Sequence, residues 1–427
     1  MNLKKAGMVL LLAGSLVAVT GCSSDKEDKQ EKTKKEVEKK EYYDGELSEE
    51  EMSTTHLSLE LMDNVTVDAD ITSLEDYKEG LDSYFIQRPD AKKLGSDKKQ
   101  IGGKGDIPKE YKKLRKMISD NMPETLNVKK EASDFRKKEW LTVAVPFDDS
   151  EKIFSYRLDL DKKNKPCEKT ISVSRGYEAK EGEKVSYYIS DFDMATQFRL
   201  IDMDFDKSDL AFGSQEDFAG KAREQVENIT GRKMSDVYES AVVNQETYDL
   251  LTEAGLYTEE NFIKCDADFY AYTFYNDING FPWKDDYSQW TLEEGDKCAD
   301  DVDADSDYAY PLHPGEQEIS YGKDGMREID LSYAAEISKV YKKNEIMKMD
   351  DLLIKIGDYY AANRSDTLMK NTIYEIKLCY LSALSDSKDG KIRNIVKPYW
   401  EVKIWQKHAD RLESIRLHFD VETGEYN

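Results

Sequence analysis

Asp301, Asp303, Asp305 and Asp307 alternate along the string DVDADSD. Alternate carboxylates on a looping chain supply the several oxygen ligands that calcium requires. An EF-hand loop would place Gly at Ser306 and a bidentate Glu at Leu312, so that motif fails and a solvated acidic loop is the favoured reading. The four histidines, His56, His313, His408 and His418, form no H-E-x-x-H and no Cys/His or Ser/His signature. His313 lies between Pro311 and Pro314 and is expected in a surface turn, and His418, beside Leu417 and Phe419, is expected to be structural. Gly102-Gly103-Lys104-Gly105 lacks the spacing and the following Ser or Thr of a phosphate loop. Acidic pairs are too many for one to be singled out for glycoside hydrolysis. The cysteines are Cys22, Cys167, Cys265, Cys298 and Cys379. No C-x-x-C occurs among them, which argues against a zinc ribbon or a thioredoxin-like site. Cys265 with Cys298 is the most plausible disulfide, both lying around one loop-rich stretch, and Cys379, in an alternating apolar run, is expected as a buried thiol. No catalytic, cofactor-binding or metal-ligating residue is therefore expected.

Cys22 is the exception, because of what precedes it. Lys4 and Lys5 are followed by an uncharged apolar run over 8–19 (MVLLLAGSLVAV) and then by small residues. The run is shorter than the roughly 20 residues needed to cross a bilayer, so it reads as a secretion signal over 1–21. The tetrapeptide Val19-Thr20-Gly21-Cys22 resembles the bacterial lipobox. That resemblance implies a diacylglyceryl thioether on the Cys22 sulfur and cleavage before it, leaving a chain anchored to the extracytoplasmic face of the cell membrane. Two acyl chains suffice for stable anchoring without a transmembrane helix.

The rest of the chain is acidic, with 62 Lys and Arg against 88 Asp and Glu and a net charge of −26, which argues against nucleic acid as a partner. Residues 22–53 are rich in Lys, Glu, Asp and Ser and almost free of apolar side chains, so they are expected to be a disordered tether. Residues 90–138 are locally basic. Contact with anionic lipid or wall polymer is one reading of that window, and a solvated face of helix and loop is the favoured one. The body divides into expected regions 54–190, 191–320 and 321–427. The 27 tyrosines fit half-buried strands better than a saccharide platform.

These regions need elements to hold them. Residues 57–71 alternate apolar and polar on either side of Asp63-Asn64, a strand–turn–strand pattern. A short helix is expected over 74–85. A second helix starts at Pro108, with Tyr111, Leu114 and Ile118 on one face. Residues 140–145, 153–160 and 197–205 read as strands. Ser214 to Asp217 fits a capping box for a helix carrying Phe218, Ala222, Val226 and Ile229, with Gly231 as its stop. Residues 269–275 lead through Asn279-Gly280 into Phe281-Pro282-Trp283, a hairpin pattern. A strand over 329–337 precedes a helix capped by Asp350 and carrying Leu353, Ile356 and Tyr360. Strands over 372–384, 399–404 and 415–421 follow, and Thr423-Gly424 falls in a closing turn. The expected fold is α+β: antiparallel sheets with helices packed on one face, in two or more related strand–helix–strand modules.

Residues Ile376 to Tyr380 (IKLCY), Pro398-Tyr399-Trp400 and Phe419 to Glu425 (FDVETGE) resemble the end of PepSY-like and YycI-type extracytoplasmic domains, and Tyr272 to Pro282 resembles their paired-strand element. Similar strings occur in Gram-positive lipoproteins of unknown function. The resemblance implies helix-on-sheet modules used for binding or regulation outside the cell and carries no catalytic residue across. The chain departs from the YycI type in using a lipid where that type has a transmembrane helix. The leading expectation is a non-catalytic, membrane-anchored binding or regulatory lipoprotein whose partner is a protein, a peptide or an envelope polymer. An envelope hydrolase with an unrecognised acidic site and a solute-capture protein feeding a transporter are the alternatives.

Overall fold

Period-two burial governs most of the chain in the computed structural model, which describes residues 47, 55–72, 79–90, 109–118, 129–133, 138–146, 152–160, 166–175, 187–188, 190–192, 209–245, 262–263, 268–284, 290–304, 307–363, 366–386, 390–407 and 412–427. Strand β1 (His56–Met62) and strand β2 (Val65–Ile71) pair antiparallel across the Asp63-Asn64 turn, where Asn64 takes φ 65°. Leu57, Leu61, Val65, Val67, Ala69 and Ile71 are buried, and the residues between them point the other way. Gly80, at φ 82°, then turns the chain into β3 (Leu81–Gln87), and a Cβ there would lie 2.3 Å from the Asn344 carbonyl oxygen.

The second half of the chain supplies the centre of this first sheet, a long hairpin of β20 (Lys370–Asp386) and β21 (Ile392–Lys407). β2 and β13 (Phe281–Lys284) lie parallel to β20, whereas β22 (Leu412–Asp420) and β3 pair antiparallel with β21. β1, β12 (Asn276–Ile278) and β19 (Glu336–Asn344) complete nine strands. The turn from β12 to β13 is Asn279-Gly280 at φ 57° and 90°, the conformation a two-residue hairpin requires. β19 pairs only with β3 among the described residues, and its register skips twice, between Ile337 and Lys339 and between Val340 and Lys342. Helix α3 (Met349–Ala362) buries Leu352, Leu353, Ile356 and Tyr360 in one core with Ile373, Ile376, Leu378, Trp400, Val402, Ile404, Leu417 and Phe419. Leu47 joins that core, and its N–H donates to Asp350 Oδ1 at 2.9 Å.

The second sheet has eight antiparallel strands in the order β4 (Lys129–Ser133), β5 (Lys138–Pro146), β6 (Lys152–Leu160), β7 (Pro166–Arg175), β18 (Gly325–Tyr333), β17 (Gln317–Gly322), β11 (Phe269–Phe274) and β9 (Glu239–Val243). Helix α1 (Lys109–Ile118) and helix α2 (Gln215–Thr230) share its core through Leu114, Ala222, Val226 and Ile229. The α2 cap is the expected one: Asp217 N–H donates to Ser214 Oγ at 3.1 Å, and Gly231 closes the helix at φ 70°. Minor ladders join β8 (Tyr187–Tyr188) to β10 (Phe262–Ile263), and β14 (Trp290–Thr291) and β15 (Asp303–Ala304) to β16 (Tyr308–Tyr310). Sheet membership cuts across the regions 54–190, 191–320 and 321–427, since both large sheets draw strands from all three.

The α+β expectation is corrected. Among the described residues strands outweigh helices by 56% to 17%, with three helices, and the architecture is curled sheets rather than repeated modules with helices laid on one face. The helix expected over 74–85 is strand from Leu81, because Gly80 breaks the chain and burial then follows the strand period. The strand expected over 329–337 is two, β18 and β19, which belong to different sheets. Asp350 lies within the first turn of α3, whose N-cap is Lys348. The strand expected over 197–205 lies outside the described residues.

Candidate functional site: the open face of the nine-stranded sheet

Alternation places the residues between the core positions of β1, β2, β20, β21 and β22 on the opposite face of the same sheet. Register aligns five of them in one row: His56 beside Asp70, Asp70 beside Glu375, Glu375 beside Lys403, and Lys403 beside Arg416. The row divides by charge, acidic toward β1 and β2 and basic toward β21 and β22. At its acidic end the two ring nitrogens of His56 lie 3.0 Å from Asp70 Oδ1 and 3.0 Å from Asp68 Oδ1. A neutral imidazole has one N–H, so two carboxylate acceptors suit the imidazolium, and donating to Asp70 and Asp68 raises the His56 pKa. In the middle, Lys403 Nζ reaches Glu375 Oε1 at 2.7 Å and Lys377 Nζ reaches Oε2 at 2.6 Å. Burial would push the Glu375 carboxyl up, but Lys403 and Lys377 outweigh it and hold the group below its ordinary value.

An aromatic pair stands in the adjacent row. Tyr374 is skipped in the pairing of β20 with both neighbours, a bulge that re-aims its side chain. Its ring stacks on Trp405 with centroids 4.7 Å apart and planes 18° apart, and its hydroxyl lies 3.2 Å from Ser414 Oγ. Both rings are half-buried. Register continues this row as Thr66, Thr372, Trp405 and Ser414, so hydroxyl groups flank the rings.

Further along the same face, the second sheet closes over the first through a buried ionic cluster. Lys284 and Glu401 are each 3% exposed and form an ion pair. Lys284 Nζ also donates to the Tyr238 hydroxyl at 2.5 Å, which itself donates to Glu401 Oε1 at 2.9 Å. His418 Nε2 lies 3.4 Å from that oxygen. Tyr238 leads into β9 of the second sheet, and its neighbour Glu239 pairs with Arg416. Burial alone would raise the Glu401 carboxyl; Lys284, His418 and Lys403 reverse the direction and hold it well below the usual range. Burial and the Glu401 charge push the Tyr238 hydroxyl far up, so it stays a neutral donor. The Lys284 ammonium is 4.2 Å and that of Lys403 4.4 Å from the Tyr238 ring centroid. This cluster is sealed and joins the sheets, and Lys403 is buried beside it, which leaves His56, Asp68, Asp70, Lys377 and the half-buried aromatic pair as the accessible part of the face.

The residues singled out by sequence are scattered. Cys22, Cys265, Asp305, His408 and the 102–105 glycine run lie outside the described residues, as do most of residues 90–138. Cys298 carries a free thiol, its expected partner Cys265 lying outside the described residues, and Cys167 and Cys379 are buried thiols. Asp303 takes an ion pair from Arg88 at 2.7 Å, and no group of metal-ligating side chains forms among the described residues. His418 lies in β22, as expected, against Glu401. The open face was missed because its members, from His56 to Arg416, are far apart in sequence. The alternation of 415–421 showed which side of β22 is buried, but only register across strands brings the charges together.

No family model matches this chain, and no curated protein matches it. Among solved structures, an uncharacterized protein from Eubacterium rectale ATCC 33656 is similar, with a TM-score of 0.54 and 16% identity over 88% of this chain and 93% of that one. At that identity the likeness extends to the fold alone.

Proposed function

We propose that the chain is a membrane-anchored extracytoplasmic lipoprotein that binds a protein, peptide or envelope polymer and carries out no chemistry on it. The leader ending in Val19-Thr20-Gly21-Cys22, resembling the lipobox, supports the location. The observation that carries the binding reading is the open face: a half-buried aromatic pair and a charge-divided row, exposed at Asp70 and Lys377, with its charges tied in pairs rather than aimed at one reacting atom. Paired charges orient a partner, whereas catalysis needs a group free to move a proton within a cleft. The PepSY-like and YycI-type resemblance of the C-terminal third to half of the chain points the same way.

Two measurements test this reading. An alkyne fatty acid fed to cells should label the wild-type chain and not Cys22→Ala; equal labelling of both removes the anchor. A photo-reactive residue at Ser414, activated in intact cells, should trap the same adduct reproducibly, and a control at Lys323, exposed in the turn between β17 and β18 of the other sheet, should not. No adduct from Ser414, or the same adduct from both positions, overturns the binding face.

A further inference from the structure

One row beyond the aromatic pair, the open face ends in two lysines. Register sets Lys370 of β20 directly opposite Lys407 of β21, on the side of the sheet that carries Thr372 and Trp405. Both are exposed, and neither has a hydrogen-bond or ion-pair partner among the described residues. Like charges directly opposite each other destabilise a strand pair, and an anion seated between them relieves it. The other charges of the face are matched or distant. Glu375 is held by Lys377 and Lys403, and Arg416 by Glu239. Glu60, aligned with Thr66, stands two strand steps from β20, about 10 Å away and past a Debye length of about 8 Å. Asp70 aligns with Glu375, roughly 16 Å along β20 from Lys370. Trp405 stands between the lysines and Tyr374. Tyr374 lies farther along β20 than Thr372, the cross-strand partner of Trp405, so it stacks on the indole from the Lys403 side and leaves the second ring face toward Lys407. Lys407 is two residues on, about 7 Å, a distance that one sugar ring with its substituent spans. The Thr66, Thr372 and Ser414 hydroxyls stand in the row of the indole itself.

We infer that this corner of the open face binds a carboxylate-bearing saccharide, one sugar ring against the second face of Trp405 and its carboxylate between Lys370 and Lys407. This rests on the binding reading above and names an acidic glycan as the envelope polymer. The apolar body of an indole takes the C–H face of a sugar, and two ammonium groups take the two oxygens of a carboxylate. Nucleic acid would offer bases and phosphates to the same groups. The net charge of −26 opposes a long polyphosphate, and the hydroxyls in the row of the indole match those of a sugar. An acidic peptide would engage the lysines and leave the ring unused.

The test uses the full-length chain in non-ionic detergent micelles and calorimetric titration with tetragalacturonate, its methyl ester, tetraglutamate and tetrathymidylate. Tetragalacturonate should bind, and the uncharged ester and the ringless tetraglutamate should each bind about tenfold more weakly. Lys370→Ala with Lys407→Ala should bring tetragalacturonate down to the level of its ester, whereas Trp405→Leu should bring it down to that of tetraglutamate. Both lysines are exposed, and a melting temperature unchanged or raised in their double variant shows that lost binding is not lost fold. Full affinity in the lysine variant, equal binding of the four ligands, or tighter binding of tetrathymidylate overturns the inference. An adduct at Ser414 with no heat from tetragalacturonate overturns the acidic glycan while leaving the binding face in place.

Discussion

Lys284 and Glu401 meet across an intervening strand: β20 pairs with β13 on one side and β21 on the other, and the ammonium reaches over it to the carboxylate. Both groups are out of water, and each satisfies the other together with Tyr238 from the second sheet. Breaking such a pair from one side leaves an uncompensated buried charge. Glu401→Gln or Lys284→Met should therefore destabilise the protein by about 3–5 kcal/mol. The double replacement Lys284→Met with Glu401→Leu should recover much of that loss. Chemical denaturation of the four proteins checks this, and additive losses in the double variant would contradict it.

The same pair sets an acid dependence. The folded Glu401 carboxyl sits well below its ordinary value, so its contribution is present above the unfolded carboxylate range and is lost as pH falls through the folded value. The stability gap between wild type and Glu401→Gln should be full at pH 7 and shrink steadily in acid. Melting temperatures over pH 7 to 3 measure it, and a gap independent of pH would refute the assignment.

His56 works in the opposite sense. Its folded pKa is raised by Asp70 and Asp68, so the clamp is fully present below the unfolded histidine value and is lost as pH rises through the folded one. The His56 ring resonances should titrate above 6.5 in wild type and move back toward it in Asp68→Asn with Asp70→Asn. A midpoint unchanged by that substitution would dismiss the clamp.

The cap of α2 gives a local measure. Ser214→Ala removes the Oγ acceptor of the Asp217 N–H and should lower stability by about 1 kcal/mol. Gly231→Ala strains a left-handed position, and stability should fall again. Equilibrium unfolding of each variant reports both, and a Ser214→Ala protein as stable as wild type would mean that the cap contributes nothing.

Local chemistry was readable in the sequence, and sheet membership was not. The Ser214 cap, the Asn279-Gly280 turn and the alternation of 57–71 depend on neighbours within a few residues, and they appear in the structure as expected. The balance of strand against helix is not set locally at Leu81: Gly80 turns the chain there, and pairing with β19 holds the following residues as a strand. Nothing local says that β2, near the start, lies parallel to β20, more than 300 residues later, or that Tyr238 would reach Glu401. The candidate site depends on those pairings. Its residues carry no motif, because each is an ordinary outward position of its own strand.

The doubly skipped strand β19 bears on how many copies can share a surface. Ile337 and Val340 are 40% and 53% exposed there, beside Lys339, Lys342 and Lys343. A straight apolar border would invite the border of another copy and lead to fibrils. Two kinks and three ammonium groups make this border a poor template for the strand of a second copy.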